Sequence, residues 1–287
     1  MIAMLIGFSA LVVVAVMGVV WLCLRPMTVC LTFDDGVRSH LTLAGPMLEK
    51  YGWRGEFNVC TDFCESSPAS LTEEKLEVLK MSKAASLRLG WDDVRELLRR
   101  GHEVYPHSCS HEMLGRLWKL GQTETVRHEV VDAAKAYAAH LGVWPRFFCC
   151  PHLDWTPEIR DLIHANKMEM INNGRPDIGR SNIKVVPLLC GLYHEGRRHV
   201  DLMFHGIVAS EGGYNAFEKL EDFEAILKAL KRLETKRKIR VISYSQGHHG
   251  FSVGSLWLDR LEWVLNKTRR VALRLWFGDH APSNSWD

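Results

Sequence analysis

Three short stretches carry side chains of the type and spacing that metal-assisted hydrolysis requires. In Thr32-Phe33-Asp34-Asp35-Gly36, two adjacent carboxylates follow a run of β-branched and apolar residues. Side chains alternate along an extended strand, so neighbouring aspartates face different ways. One can bind a cation while the other faces an attacking water. In His107-Ser108-Cys109-Ser110-His111, two imidazoles stand four residues apart; on a helical turn they share one face and chelate one ion. Joined by a carboxylate they make a His-His-Asp set with an open position, which suits zinc or a similar divalent ion. The third stretch, Val200-Asp201-Leu202-Met203-Phe204, ends at His205-Gly206. An imidazole there can protonate an amine leaving group. Each motif alone has an ordinary explanation, since Asp-Gly pairs favour turns and histidines often decorate surfaces. Their recurrence after strand-like runs is the signal.

The elements that position them follow from hydrophobic period. Strand candidates are Thr28 to Phe33, Glu56 to Val59, Glu103 to Tyr105, Arg146 to Cys149, Met168 to Ile171, Val185 to Leu189, Val200 to Phe204 and Arg240 to Tyr244. Helical patterns lie between them. Thr42 to Tyr51 is amphipathic, and Ser70 with Glu73 forms a capping box for a helix through about Lys80. Trp91 to Arg100 has acid at its start, base at its end and Gly101 as a stop. Thr123 to Leu141 and Lys219 to Leu233 keep apolar residues at helical spacing. This alternation predicts an α/β fold with a mostly parallel sheet, and seven or eight βα repeats fit a barrel whose chemistry collects at strand ends.

The chain has 287 residues, 47% apolar and 24% charged, which excludes disorder and a disulfide-stapled miniprotein. A net charge of +2 without a long basic run argues against nucleic acid as a partner. The charge is unevenly placed. Ile2 to Leu24 contains no charged side chain, and every Asp, Glu, Lys and Arg lies at or beyond Arg25. At about 1.5 Å per residue this run can cross a hydrocarbon core of about 30 Å. It lacks the basic n-region and the A-x-A site of a cleaved signal. Residues 1–25 therefore read as a single-pass membrane anchor or uncleaved signal, and residues 26–287 as one catalytic domain. Eight cysteines are too sparse for a disulfide framework; Cys60 and Cys64 either pair across a loop or remain thiols.

The sequence resembles the polysaccharide deacetylase family, the NodB-homology domain of carbohydrate esterase family 4. The likeness rests on Thr32-Phe33-Asp34-Asp35-Gly36, His107-Ser108-x-Ser110-His111 and Leu202-Met203-Phe204-His205-Gly206, in that order. Flanking stretches agree: Gly90-Trp91-Asp92-Asp93, Arg100-Gly101-His102-Glu103, Gly212-Gly213 and Phe217. The resemblance spans about residues 28 to 245. It implies a distorted (β/α)7 TIM-like barrel and hydrolysis of N-acetyl, less often O-acetyl, groups on a sugar polymer such as chitin-like glycan or peptidoglycan. It implies Asp34 as catalytic base, His205 as general acid, Asp35, His107 and His111 as ligands of a divalent ion, most simply Zn2+, and an acetylated glycan as partner. An anchored domain of this kind would stand outside the cytoplasm or in a lumen.

One departure matters. Where the family's third motif has Arg-Pro-Pro-Tyr-Gly, this chain has Phe148-Cys149-Cys150-Pro151-His152-Leu153, so Cys149 takes the place of an arginine that orients and tunes the catalytic Asp. Arg146 is three residues away, on the opposite face of a strand. The fourth motif, an Asp near a Trp, is either Asp177 or Asp154 with Trp155. Candidate substrate contacts are Cys149, Pro151, His152, Trp155, Asp177, His248 and His249, the last two because they lie just beyond the final strand candidate. Two other functions stay open: a metal hydrolase of the same fold acting on a non-sugar amide or imide, and a catalytically silent glycan-binding membrane protein.

Overall fold

A computed structural model describes residues 26–65, 88–171, 175–195 and 197–248. The expected anchor at 1–25, the capping-box helix at Ser70 and the candidate His249 lie outside the described residues. Among the described residues no helix is long and apolar enough to cross a membrane.

The organising element is β1 (Met27–Phe33). It is apolar on alternate positions, and Met27, Val29, Leu31 and Phe33 pack into the main hydrophobic cluster with Phe223, Leu227 and Leu230 of the helix Leu220–Thr235. The intervening Thr28, Cys30 and Thr32, and then Asp34, face the other side. Naming the remaining strands in chain order, β2 is Glu56–Val59, β3 Glu103–Pro106, β4 Phe147–Phe148, β5 Glu169–Met170, β6 His199–Phe204 and β7 Ile239–Val241. Every pairing among them is parallel. The chain is thus α/β with a parallel sheet, as the alternation predicted.

Register places the chemistry. β6 runs along one edge of β1 from Thr28 opposite His199 to Phe33 opposite Phe204, so the next residues, Asp34 and His205, emerge level. The Asp34 N–H donates to the Phe204 carbonyl at 2.9 Å. The other edge of β1 is divided. β7 takes Met27 to Val29, and β2 takes Thr32 and Phe33. β2 pairs with β3, the Cys149 N–H donates to the Pro106 carbonyl at 3.0 Å to bring β4 beside β3, and β4 pairs with β5. After β5, the Met203 N–H donates to Pro176 O and the Ile178 N–H to Met203 O, at 2.9 and 2.7 Å. These two bonds lay the segment 175–178 on the free edge of β6.

One expected strand is a helix. Val185 to Leu189 opens the helix Val185–His194. Its buried residues, Val185 and Leu189, are four apart, the helical interval, and Pro187 sits in the first turn, where no N–H is needed. The run Thr123 to Leu141 is helical, as Thr123–Arg127, a wider π-type turn at His128–Asp132, and Ala133–Leu141. That wider turn holds Glu129, a buried carboxylate that the candidate site uses.

Candidate active site

Asp34 is 3% exposed and its charge is compensated from several directions. Arg175 forks onto it, Nη1 to Oδ1 at 3.2 Å and Nη2 to Oδ2 at 2.8 Å. The same guanidinium donates to Thr32 Oγ1 at 2.9 Å and to Cys149 Sγ at 3.1 Å, while Asn58 Nδ2 donates to Asp34 Oδ1 at 2.8 Å. Burial opposes ionisation, but Arg175, His107, His205 and Asn58 overcome it and hold the Asp34 carboxyl at about 2. Cys149 therefore does stand against Asp34, at 3.9 Å, and the cation that this position lacks arrives from Arg175. Sequence reasoning missed Arg175. Its only local signal is Gly174-Arg175-Pro176 after a strand candidate, which says nothing of a partner 141 residues away.

Asp35 turns the other way because the chain reverses into left-handed backbone at Asp35 (φ 76°) and Gly36 (φ 59°). Its Oδ1 lies 3.0 Å from His111 Nε2 and 3.6 Å from His107 Nε2. One atom from each of the three residues fits within a 4.8 Å cluster. The two histidines are not on a helical turn, as their spacing suggested. They lie on the loop after β3, which bends through left-handed Ser108 (φ 65°) and His111 (φ 68°). Ser108 Oγ accepts from the His111 N–H at 2.9 Å, and Glu129 accepts from Cys109 N, Ser110 N and Ser110 Oγ at 3.0, 2.9 and 2.6 Å. Left-handed non-glycine residues are costly, and this loop is held in place by its partners.

The donor chemistry fits a cation. The His107 Nδ1–H has the Cys149 carbonyl as acceptor at 3.0 Å, which leaves the Nε2 lone pair facing Asp35. Burial pulls the His111 imidazole down, toward the neutral form that can offer a lone pair. Asp35 Oδ1 is buried without a hydrogen-bond partner. A carboxylate oxygen and two imidazole nitrogens that converge on one point are the donor set of a divalent metal ion.

His205 completes the group. Burial disfavours its charge, but the hydrogen bond from Nδ1 to Asp177 Oδ1 at 3.2 Å and the carboxylates of Asp35 and Asp34 outweigh this and lift it to about 9. Buried His40, held neutral at about 4 by burial, donates Nε2–H to the His205 carbonyl at 2.7 Å and fixes the strand end. Gly206 has no room for a side chain, since a Cβ there would collide with the Gly212 carbonyl. Of the two fourth-motif candidates, Asp177 is the one at His205. Asp154 instead accepts from the Arg116 N–H at 2.8 Å and stands at the helix Leu114–Lys119.

The other candidates separate into two places. His152 packs edge-on against His111 with ring centroids 4.5 Å apart, beside buried Pro151, while half-buried Trp155 packs against the hydrophobic cluster that holds Leu114 and Ile159. Tyr214, which no sequence motif marks, is 49% exposed with its ring 5.0 Å from that of His205. His248 does not join them. β7 is paired with Met27 to Val29, so its end is level with the middle of β1 rather than with Asp34. His248 lies instead against Asp201 and His199, at 3.1 Å from each. All seven cysteines among the described residues, Cys60 and Cys64 included, are free thiols.

A family model described as polysaccharide deacetylase matches residues 23–171. No curated protein matches the chain. Similar solved structures include a peptidoglycan N-acetylglucosamine deacetylase, at 15% identity and TM-score 0.54, over 78% of this chain and 88% of that one. The Xyl-CE4 domain of a multidomain xylanase from the hindgut metagenome of Trinervitermes trinervoides matches at 16% identity and TM-score 0.50, over 78% and 90%. A CE4 family pseudoenzyme from Bacillus anthracis matches at 16% identity and TM-score 0.50, over 76% and 65%. At these identities the likeness is one of fold.

The Arg175–Asp34 pair makes a stability prediction with a definite pH sign. Asp34 is lowered in the folded state, so its contribution is present above the unfolded value of 3.8 and is lost as pH falls toward about 2. Arg175→Met takes the guanidinium from the buried carboxylate, raises its pKa, and should cost about 3–5 kcal/mol at pH 7. The deficit in urea denaturation should shrink at pH 4, where the variant's Asp34 is protonated. An equal deficit at both pH values would show that Arg175 does not compensate this charge.

Proposed function

Because the chain belongs to the polysaccharide deacetylase family, we propose that it removes acetyl groups, N-acetyl in the first place, from an amino-sugar glycan such as a chitin-like polymer or peptidoglycan. The observation that carries this reading is a carboxylate held ionised and an imidazole held protonated beside one His-His-Asp set. We read the parallel strands as part of the distorted (β/α)7 barrel of that family.

In this reading Asp35, His107 and His111 hold a divalent ion, Zn2+ by the chemistry of the donors. Bound there, such an ion would polarise the acetyl carbonyl and lower the pKa of water from about 15.7 toward 7, which a carboxylate as weakly basic as Asp34 needs from its neighbour. Asp34 accepts the proton of the attacking water, with Arg175 and Asn58 fixing its orientation. His205 keeps its Nδ1 on Asp177, so Nε2 carries the proton that the departing amine takes. Tyr214 and His152 offer ring surface for a sugar. A silent glycan-binding role is disfavoured by the complete set of Asp34, Asp35, His107, His111 and His205, and by the guanidinium restored to Asp34 from a new position. We also propose that residues 1–25 anchor the domain at a membrane, facing outward or into a lumen, on the strength of the uncharged run Ile2 to Leu24.

Acetate release from chitin oligomers and peptidoglycan, with Zn2+ added, tests the assignment. Activity should fall at least about 100-fold in Asp34→Ala, the scale of general-base catalysis; unchanged activity removes Asp34 from the base role, and ring opening of a cyclic imide without acetate release redirects the substrate class. His205 must be protonated to act, so activity should be full below about 9 and decline as pH rises through it. In Asp177→Asn that alkaline limb should move to lower pH, and an unmoved limb would separate Asp177 from the acid. On fractionation the full chain should sediment with membranes and stay there after alkaline carbonate washing, whereas a soluble chain of full length would remove the anchor.

A further inference from the structure

A second cluster of metal-type side chains lies away from Asp34, on the same face of the β1–β6 pair. Cys30, His199 and Asp201 each offer one atom within 4.8 Å of the others. Cys30 is directly opposite Asp201 in the β1–β6 register, and His199 is two residues from Asp201, so all three project to one side. Cys30 precedes Asp34 by four residues, about 13 Å at about 3.3 Å per residue. His199 Nε2 is 2.8 Å from Asp201 Oδ1 and 4.0 Å from Cys30 Sγ. His248, just past the helix Tyr244–Gly247, adds a fourth group, with Nε2 3.1 Å from both Asp201 Oδ2 and His199 Nε2.

Hydrogen bonding around the cluster aims lone pairs inward. The Thr28 hydroxyl lies 3.2 Å from the Arg198 carbonyl and 2.8 Å from His199 Nδ1, so by donating to the carbonyl it can accept the His199 Nδ1–H. In that tautomer the His199 Nε2 lone pair faces a carboxylate oxygen and a second imidazole nitrogen. A proton can bridge only two of these atoms, whereas a metal ion satisfies all of them. The backbone is shaped for the approach: a Cβ on Gly247 would meet His199 Cε1 at 2.6 Å and Cys30 Sγ at 3.1 Å. Cys30 and Asp201 are buried, while the side chains of His199 and His248 are 29% and 22% exposed, which gives an ion a way in.

We propose that Cys30, His199, Asp201 and His248 form a second metal site, a closed four-ligand structural site for Zn2+. One sulfur, two imidazole nitrogens and one carboxylate oxygen are zinc's ligand types, and four protein ligands leave no position for substrate. On binding, the Cys30 thiol releases its proton to solvent and the ion takes its place. The ion ties the segment after β7 to the paired strands β1 and β6.

The test is metal stoichiometry and spectroscopy on the full chain loaded with Zn2+ or Co2+. Wild type should bind two equivalents, and the Co2+ form should show a thiolate-to-metal charge-transfer band in the near ultraviolet. Cys30→Ser should lose that band and His248→Ala should weaken binding at this site by at least about 10-fold, each leaving one equivalent. The doubly substituted His107→Ala, His111→Ala chain should also hold one equivalent, with the band intact, so failure of the catalytic site and failure of this one are distinguishable. Absence of the band in folded wild type, or unchanged stoichiometry in both Cys30→Ser and His248→Ala, would overturn the proposal and leave a proton-linked cluster.

Discussion

Burying the Asp34 carboxylate is the constraint around which the rest of the site is arranged. Taken out of water without a partner, such a charge costs several kcal/mol. The compensation comes from separate parts of the chain: Asn58 from β2 and Arg175 from the segment after β5. Arg175 reaches Asp34 because the backbone of 176–178 is bonded to β6, and β6 is level with β1 along its length. The small Cys149 thiol, at 3.1 Å from the guanidinium, belongs to the same solution. A bulkier side chain there would occupy the space that Arg175 fills. A further carboxyl nearby, Glu56, is opposite Thr32 and has no hydrogen-bond partner on either oxygen. Burial pushes its pKa well up, which disfavours a second negative charge beside Asp34.

How much of this was legible in the sequence depends on how local each cause is. The Asp34-Asp35 turn, the His107 and His111 loop and the His205 strand end were readable because strand alternation and turn chemistry act over a few residues. β1, β2, β3 and β6 were readable for the same reason. Val185 to Leu189 misled because a short apolar run has no period of its own, and only its burial at intervals of four reveals the helix. The spacing of His107 and His111 suggested a helical turn, whereas left-handed Ser108 achieves the same convergence in a loop. Arg175 was illegible, since nothing near it in sequence points to Asp34. The choice between Asp177 and Asp154 likewise needed the fold, because it rests on which carboxylate reaches His205.

The pairing of β1 with β6 acts as a ruler. Inward positions recur every second residue on both strands, which sets Cys30 against Asp201, Thr32 against Met203, and Asp34 level with His205. One seam therefore carries two groups of ionisable side chains at different heights, separated by an uncharged rung. The split edge of β1 explains why His248 belongs to the lower group. β7 is short and pairs only at the start of β1, so the residues just beyond it, His248 among them, stop short of the level of Asp34.

The division of the site along the chain bears on how the molecule is made. Asp34, Asp35, His107 and His111 all emerge from the ribosome before Arg175, Asp177 and His205. A nascent chain that ends before residue 175 already displays both carboxylates and both histidines, yet Asp34 has no guanidinium and β1 has no neighbour on its β6 edge. Its recognisable motifs are then present without the guanidinium and the strand that surround Asp34 in the folded chain. On the reading proposed above, the set of side chains is complete only once translation has passed His205.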